Sequence, residues 1–370
     1  MSQDGYVRPV VTEGASRDIA RGESKIFKSV CPGIRLDAPA TKSARHHEVF
    51  GAYISAWEAV AVNPEIREAG SSAGVLTALS GWLVEDMSVP AMAAAAMDDE
   101  APRRTVPVRI MTKEQALAAS GSRYAPVATL DGWSPDSGAA LCAKPCEVSA
   151  AQRISTARGQ AAPVMLSFFC AGTPSQNATD ELISSFGVAP ESAESVHYRG
   201  DGWPGRFRVV GKDGTEGSLS YEESWGNHLG RQLQWRCRLC VDGTGGHADI
   251  AVGDFWASDE QGYPQFADAA GNSVAIARTA RGERLLLEAA NAGVVQLKPL
   301  ELDRVATVQP LQTQRRRSIA ARILGRRLAG YRAPRYRGYG IVANALRNPE
   351  LSLRALAGTF LRSLKSRRSK

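Results

Sequence analysis

The chain has no run of about 18 apolar residues, so no bilayer-spanning helix is expected. Its first residues, MSQDGYVRPVVTEG, lack the charged and then apolar order of a secretory signal. Cysteine is scarce, six in 370 residues; in a chain read as cytoplasmic these are expected as thiolates, ligands or core residues rather than disulfides. Acid is scarce in one place only. Of 45 Lys+Arg and 38 Asp+Glu, residues 311–370 hold 16 basic groups against the single acid Glu350, leaving 29 basic and 37 acidic groups before them. The net charge of +7 therefore joins an acidic body to a strongly basic tail. An apolar fraction of 44% with 22% charged residues excludes a disordered polyelectrolyte, and the length can bury a sizeable core.

Residues 1–50, rich in Gly, Pro and charge, read as an irregular lead-in with an isolated Cys31-Pro32-Gly33. A regular core is expected over 51–310 and a basic helical tail over 311–370. The pattern predicts an α/β fold: a central mixed sheet flanked by helices, with an antiparallel hairpin insertion. YISAWEAVAV, from Tyr53, reads as a strand; a loop holding Ser71, Ser72 and Gly74 follows, then the helical spacing of VLTALSGWLVED, which carries Thr77. Free amides at a helix start suit an anion, and a tight turn with Ser72 as N-cap accounts for the same residues. Residues 91–101, rich in Ala and Met, read as a loop or weak helix, and PVRIMT as a strand. Apolar runs at 138–142 and 163–170 deliver Cys146 and Cys170 to strand ends, the second followed by Thr173 and a helix over 177–186. Strand, ligand-type residue, turn and helix in succession place chemistry at the edge of an α/β sheet. Turn residues within 197–221 mark two or three antiparallel strands, and 273–278, 279–292 and 293–297 read as strand, helix and strand.

Residues 234–256, QWRCRLCVDGTGGHADIAVGDFW, hold the densest chemistry. Their Cys237-x-x-Cys240 fits half a zinc site, a thiol redox pair or half an iron-sulfur ligand set. Cys146 and Cys170 complete four thiolates; Cys142 reads as strand core and Cys31 as outside the core. Ligands from three separate segments, rather than two local pairs, favour a 4Fe-4S cluster over structural zinc, with zinc or no metal left open. Lys144 would lower the Cys146 pKa or meet a phosphate. Asp249 reads as a turn cap, Asp254 as an amide-orienting group or a cofactor contact at a strand end, and His247 as a surface residue or a proton donor. The tail stretches QRRRSIAARILGRRLAG and LSLRALAGTFLRSLKSRR are basic and amphipathic. They suit a solvated appendage, a helix packed on the acidic body, or an anionic lipid surface; no motif supports nucleic acid.

Eight short motifs occur in order: DGYVRP (4–9), CPG (31–33), EIREAGSSAGVLTAL (65–79), SRY (122–124), KPCEV (144–148), FCAGTPS (169–175), YRGDGWPG (198–205) and CRLCVDGTGGHADIAVGDFW (237–256). Together they resemble the coenzyme F420 hydrogenase/dehydrogenase beta-subunit family over about residues 4–300. The resemblance implies a cytoplasmic oxidoreductase passing electrons between FAD and a 4Fe-4S cluster, with coenzyme F420 among the family's substrates and a redox partner protein or small-molecule electron donor. By position it implies Cys146, Cys170, Cys237 and Cys240 as cluster ligands. Ser71, Ser72, Gly74 and Thr77 fall on the FAD phosphate or ribityl side, with Arg123, Lys144 and Thr173 as further contacts beside Asp254. No catalytic acid or base is assigned. Bacterial relatives accompany surface-polysaccharide gene sets, which implies a sugar-linked substrate at the inner membrane face. Ala73 stands where the family more often has Gly. Many members carry a cysteine-rich ferredoxin module ahead of the place where this sequence begins, so either a one-cluster form or a start lying further upstream is expected, the one-cluster form being preferred. The alternative is a non-catalytic zinc-binding or scaffold protein docking on membrane or partner through its tail.

Overall fold

The computed structural model describes residues 1–10, 17–41, 44–200, 202–256 and 271–368. Asp201, within one of the quoted motifs, lies outside the described residues. Eight strands, Ser55–Ala61 (β1), Met92–Met97 (β2), Thr105–Ile110 (β3), Ala140–Ala143 (β4), Met165–Phe168 (β5), Ile250–Asp254 (β6), Ser273–Ala277 (β7) and Val295–Pro299 (β8), form one mixed sheet in the order β8-β1-β7-β6-β5-β4-β2-β3. Strands β2, β4, β5 and β6 run parallel; β7 is antiparallel to both β6 and β1, so β1 shares their direction. Five strands therefore end at one edge of the sheet, the edge where open α/β sheets hold ligands. The central β7 is buried at every position, as a strand covered on both faces should be.

Helices cover the sheet. Val75–Glu85 (α1) buries Leu79, Trp82 and Leu83 against strand residues and against Leu285 and Leu286 of Ala280–Asn291 (α4). Pro145–Ala157 (α2) and Gln176–Ser184 (α3) leave the cysteine-bearing strand ends. Pro at the first turn of α2 is prearranged for a helix, so Cys146 lies inside that helix rather than before it. The hairpin insertion is a three-stranded antiparallel sheet, Ala193–His197, Arg206–Gly211 and Glu216–Ser220, with its own core of Leu182, Val196, Tyr198 and Phe207.

Three local expectations change. Residues 91–101 contain β2, seated between β3 and β4; neighbouring strands decide a conformation that Ala and Met do not specify. Within the lead-in, Arg17–Val30 is a helix. Ser72 is not the cap of α1. Gly74 is, at φ +68°, with no side-chain cap bond.

The tail folds into Pro310–Leu328 (α5), Ile341–Arg347 (α6) and Pro349–Arg368 (α7). Helix α5 packs on the body through buried arginines: Arg316 donates to the Val241 carbonyl and lies 4.8 Å from the Tyr339 ring, and Arg326 sits over Trp235 and Tyr331. Of the readings open to the tail, packing on the body is the one its buried face adopts.

Candidate functional site: two adjoining cavities at the sheet edge

The shared strand edge opens into a cavity of about 490 Å³, within the range of ligand and cofactor pockets. All eight expected cofactor contacts, Ser71, Ser72, Gly74, Thr77, Arg123, Lys144, Thr173 and Asp254, line it. Gly74 is required by shape as well as by φ. A Cβ there would sit 2.4 Å from the Ile66 carbonyl oxygen, so the loop can close on itself only without a side chain. The Ser72 hydroxyl is engaged by the sheet, donating to the Asn272 carbonyl at 3.0 Å and lying 2.9 Å from Ser273 Oγ.

The two expected cations divide. Arg123 is committed to structure: it donates to Thr105 Oγ1 and to the carbonyls of Val196, Pro102 and Arg104. It shapes the wall and has little left for a phosphate. Lys144 Nζ donates to the Val127 carbonyl and pairs with Glu147, both at 3.0 Å, leaving one of three N–H groups. Burial works to lower its pKa, but Glu147 and the neighbouring cysteines override that and hold it raised, so Lys144 stays cationic.

Beside this cavity a narrower pocket gathers Cys146, Cys170, Cys237 and Cys240. The Thr173 N–H donates to Cys237 Sγ at 3.4 Å, and Cys240 Sγ donates to the Asp242 carbonyl at 3.0 Å. Burial pushes the Cys170 thiol up to about 12 and raises Cys146 and Cys240, with Arg236 opposing the rise at Cys146 and Arg315 at Cys170 and Cys240. Among the described residues, no group of three or more His, Cys, Asp or Glu is arranged to hold a single metal ion. A four-iron cluster takes one thiolate at each corner and needs no such convergence on a point. Four thiols from three segments, Cys237 buried and Cys146, Cys170 and Cys240 half-buried, flanked by two arginines that balance thiolate charge, fit that donor set.

Cys31 is half-buried, and it is its neighbours that meet the site. Pro32 and Gly33 line the cysteine pocket, and a Cβ on Gly33 would lie 2.8 Å from Arg236 Cδ, so this segment closes one side of the pocket. Cys142 faces the main cavity, where burial pushes its thiol up to about 12 and keeps it protonated. His247 is buried, not on the surface: its Nδ1 lies 2.8 Å from Gln152 Oε1 and its Nε2 3.3 Å from the Tyr339 hydroxyl. Asp249 does more than cap a turn, since it accepts from the Met165 N–H and Thr279 Oγ1 and pairs with Arg281 at 2.6 Å.

Three arginines escaped sequence reasoning. Arg199, 3% exposed, pairs with Asp254 at 2.7 Å and faces the rings of Trp203, Tyr221 and Trp256 at 4.7–5.1 Å. Its second terminal nitrogen is buried without a hydrogen-bond partner at the cavity wall. Arg199 lies within the YRGDGWPG motif, so a buried-cation role was available from position. Arg236 is next to Cys237 and reaches Cys146 Sγ at 3.6 Å; the Cys146 thiolate raises its pKa more than burial lowers it. Arg315, from α5, donates to the carbonyls of Cys170 and Ala171. Gly243 makes room for it, since a Cβ there would meet Arg315 Nη1 at 2.9 Å and the Cys170 carbonyl at 3.0 Å.

An α/β protein whose strand edge carries a cofactor-sized cavity beside a four-cysteine pocket has the build of a redox subunit. The coenzyme F420 hydrogenase/dehydrogenase beta-subunit profiles match it, the N-terminal part over residues 56–132 and the C-terminal part over 136–303. The chain belongs to this family, and membership gives it an oxidoreductase-type role. Among solved structures it is similar to a chain of the F420-reducing [NiFe] hydrogenase complex from Methanosarcina barkeri, at 20% identity and TM-score 0.59, covering 80% of this chain and 99% of that one. That likeness supports the fold. No curated protein matches.

Proposed function

We propose that the protein passes electrons between FAD in the main cavity and a 4Fe-4S cluster held by Cys146, Cys170, Cys237 and Cys240. The observation that carries this reading is a shared wall: Cys170, Gly172 and Thr173 line both cavities. When bound, FAD supplies two-electron exchange with a substrate and one-electron exchange with a neighbouring cluster. The protein's part is placement. The amides at the start of α1 and the Lys144 ammonium suit the FAD pyrophosphate, and the Arg199 guanidinium with its aromatic neighbours suits a flat, electron-rich ring system. Thr173 N–H suits a cluster thiolate, and Arg236 and Arg315 offset the thiolate charge.

A glycine at 172 is needed for the shared wall. At φ +138° it lets the chain turn tightly between Cys170 and Thr173, and a Cβ there would meet the Leu233 side chain at 2.9 Å. The second substrate is coenzyme F420 or a sugar-linked intermediate of surface-polysaccharide synthesis, and the cluster's electrons come from a redox partner protein or a small-molecule donor. The named neighbour belongs to a hydrogenase complex, which supports a protein partner. A reducing, cytoplasmic compartment keeps the four ligand cysteines as free thiols. Cys237→Ala tests the assignment: anaerobically purified variant should lose cluster iron and keep stoichiometric flavin. Full iron occupancy in the variant would remove Cys237 from the ligand set and the proposal with it.

A further inference from the structure

The inner and outer faces of the tail differ in kind. Inside, Arg315 and Arg316 are buried and bonded to body carbonyls, and Gly325 lets α5 and α7 approach closely, since a Cβ there would lie 2.5 Å from the Leu356 carbonyl oxygen. The tail is thus seated on the body by its inner face. Its outer face carries large apolar side chains that the fold leaves in water: Leu324, Leu328, Val342, Leu346, Leu353 and Leu361, each 48–76% exposed. Leu324 and Leu328 on α5 and Val342 and Leu346 on α6 lie four residues apart, and Leu353 and Leu361 on α7 eight apart, so each pair falls on one side of its helix.

Exposed cations adjoin four of these side chains in sequence, at the flank of the apolar pair on each helix: Arg327 before Leu328, Arg347 after Leu346, Arg354 after Leu353 and Arg362 after Leu361. Glu350 is the sole acid from residue 311 onward. Single exposed leucines need no explanation; six large apolar side chains on three consecutive helices, four of them next to an exposed arginine and with Glu350 the one acid among them, do. We propose that this face binds an anionic lipid surface, the leucines entering the headgroup boundary and the arginines meeting lipid phosphates. Charge alone would serve nucleic acid equally, but phosphate backbones give leucine nothing to bury against, whereas a lipid interface takes both chemistries. The arrangement is peripheral: among the described residues no helix is long and apolar enough to cross a membrane.

This inference stands apart from the redox reading, and its test uses the full chain. Removing the tail is not a clean probe, because Arg315 and Arg316 would leave body carbonyls unpaired. Surface variants are clean: Leu346→Ser with Leu353→Ser, and separately Arg347→Glu with Arg354→Glu. Cosedimentation is measured with phosphatidylcholine vesicles and with vesicles containing phosphatidylglycerol, at low and high salt, alongside circular dichroism and thermal melts to show unchanged folding. The wild type should sediment with the anionic vesicles only, less so at high salt, and each double variant should lower the bound fraction roughly tenfold. Equal binding to neutral vesicles, no vesicle binding, or unaltered binding by both folded variants would overturn the proposal. So would salt-sensitive capture of DNA without vesicle binding.

Discussion

Asp254→Asn isolates one charge at the wall of the main cavity. The amide oxygen can still accept from Arg199, so what is lost is the negative charge facing a guanidinium whose side chain is 2% exposed. Breaking a buried ion pair from one side costs about 3–5 kcal/mol because the remaining charge is uncompensated. Two features place this site at the low end. Asp254 keeps 21% side-chain exposure, so its charge is already partly solvated, and the rings of Trp203, Tyr221 and Trp256 remain within 4.7–5.1 Å of the cation. The expected loss is therefore about 3 kcal/mol in urea unfolding, seen as a lower midpoint at unchanged slope. Arg199→Met should cost less, since Asp254 can rehydrate from the cavity. Adding Asp254→Asn to it should cost little more, giving a coupling of about 2 kcal/mol. If Asp254→Asn alone lies within about 0.5 kcal/mol of wild type, Arg199 is not held by this pair and the electrostatic account of the cavity wall fails.

Two further outcomes follow from single positions. Gly74→Ala places a side chain in the left-handed region and 2.4 Å from the Ile66 carbonyl oxygen. It should cost about 2–4 kcal/mol in urea unfolding and abolish flavin retention on gel filtration. Burial lowers the His247 pKa below its ordinary 6.5, so the folded state binds fewer protons than the unfolded one as pH falls. Its contribution is complete above about pH 6.5 and shrinks as pH drops from there through the lowered folded value. Thermal midpoints recorded from pH 7.5 to 5 should fall more steeply for wild type than for His247→Gln.

Much of the fold was legible because apolar runs and turn residues mark it. The strand before the Gly74 loop, the strands ending near Cys142 and Cys170, and the helices after them all stand where periodicity placed them. β2 was hidden because alanine suits helix, loop or a crowded interior strand alike, and only its partners β3 and β4 select the last. A Ser before a helix is a local signal for a cap, whereas the bonds Ser72 makes to Asn272 and Ser273 join segments about 200 residues apart and carry no local signature. The cysteines were legible as a set because thiols are few. Arg199, Arg236 and Arg315 were not, because they are three among 45 basic residues and their distinction is burial. Arg315 in particular lies beyond the residues matched by the family profiles, so neither motif nor resemblance points to its place beside Cys170.

The central claim, that two redox groups share the wall at Cys170–Thr173, is tested most directly by one preparation. Protein purified anaerobically is examined by visible spectrum, with iron, sulfide, zinc and flavin quantified on the same sample. The account predicts one FAD with about four iron and four sulfide per chain. Zinc or no metal, with no flavin even after reconstitution under reducing conditions, would contradict it and leave a scaffold that keeps the family fold without its electron transfer.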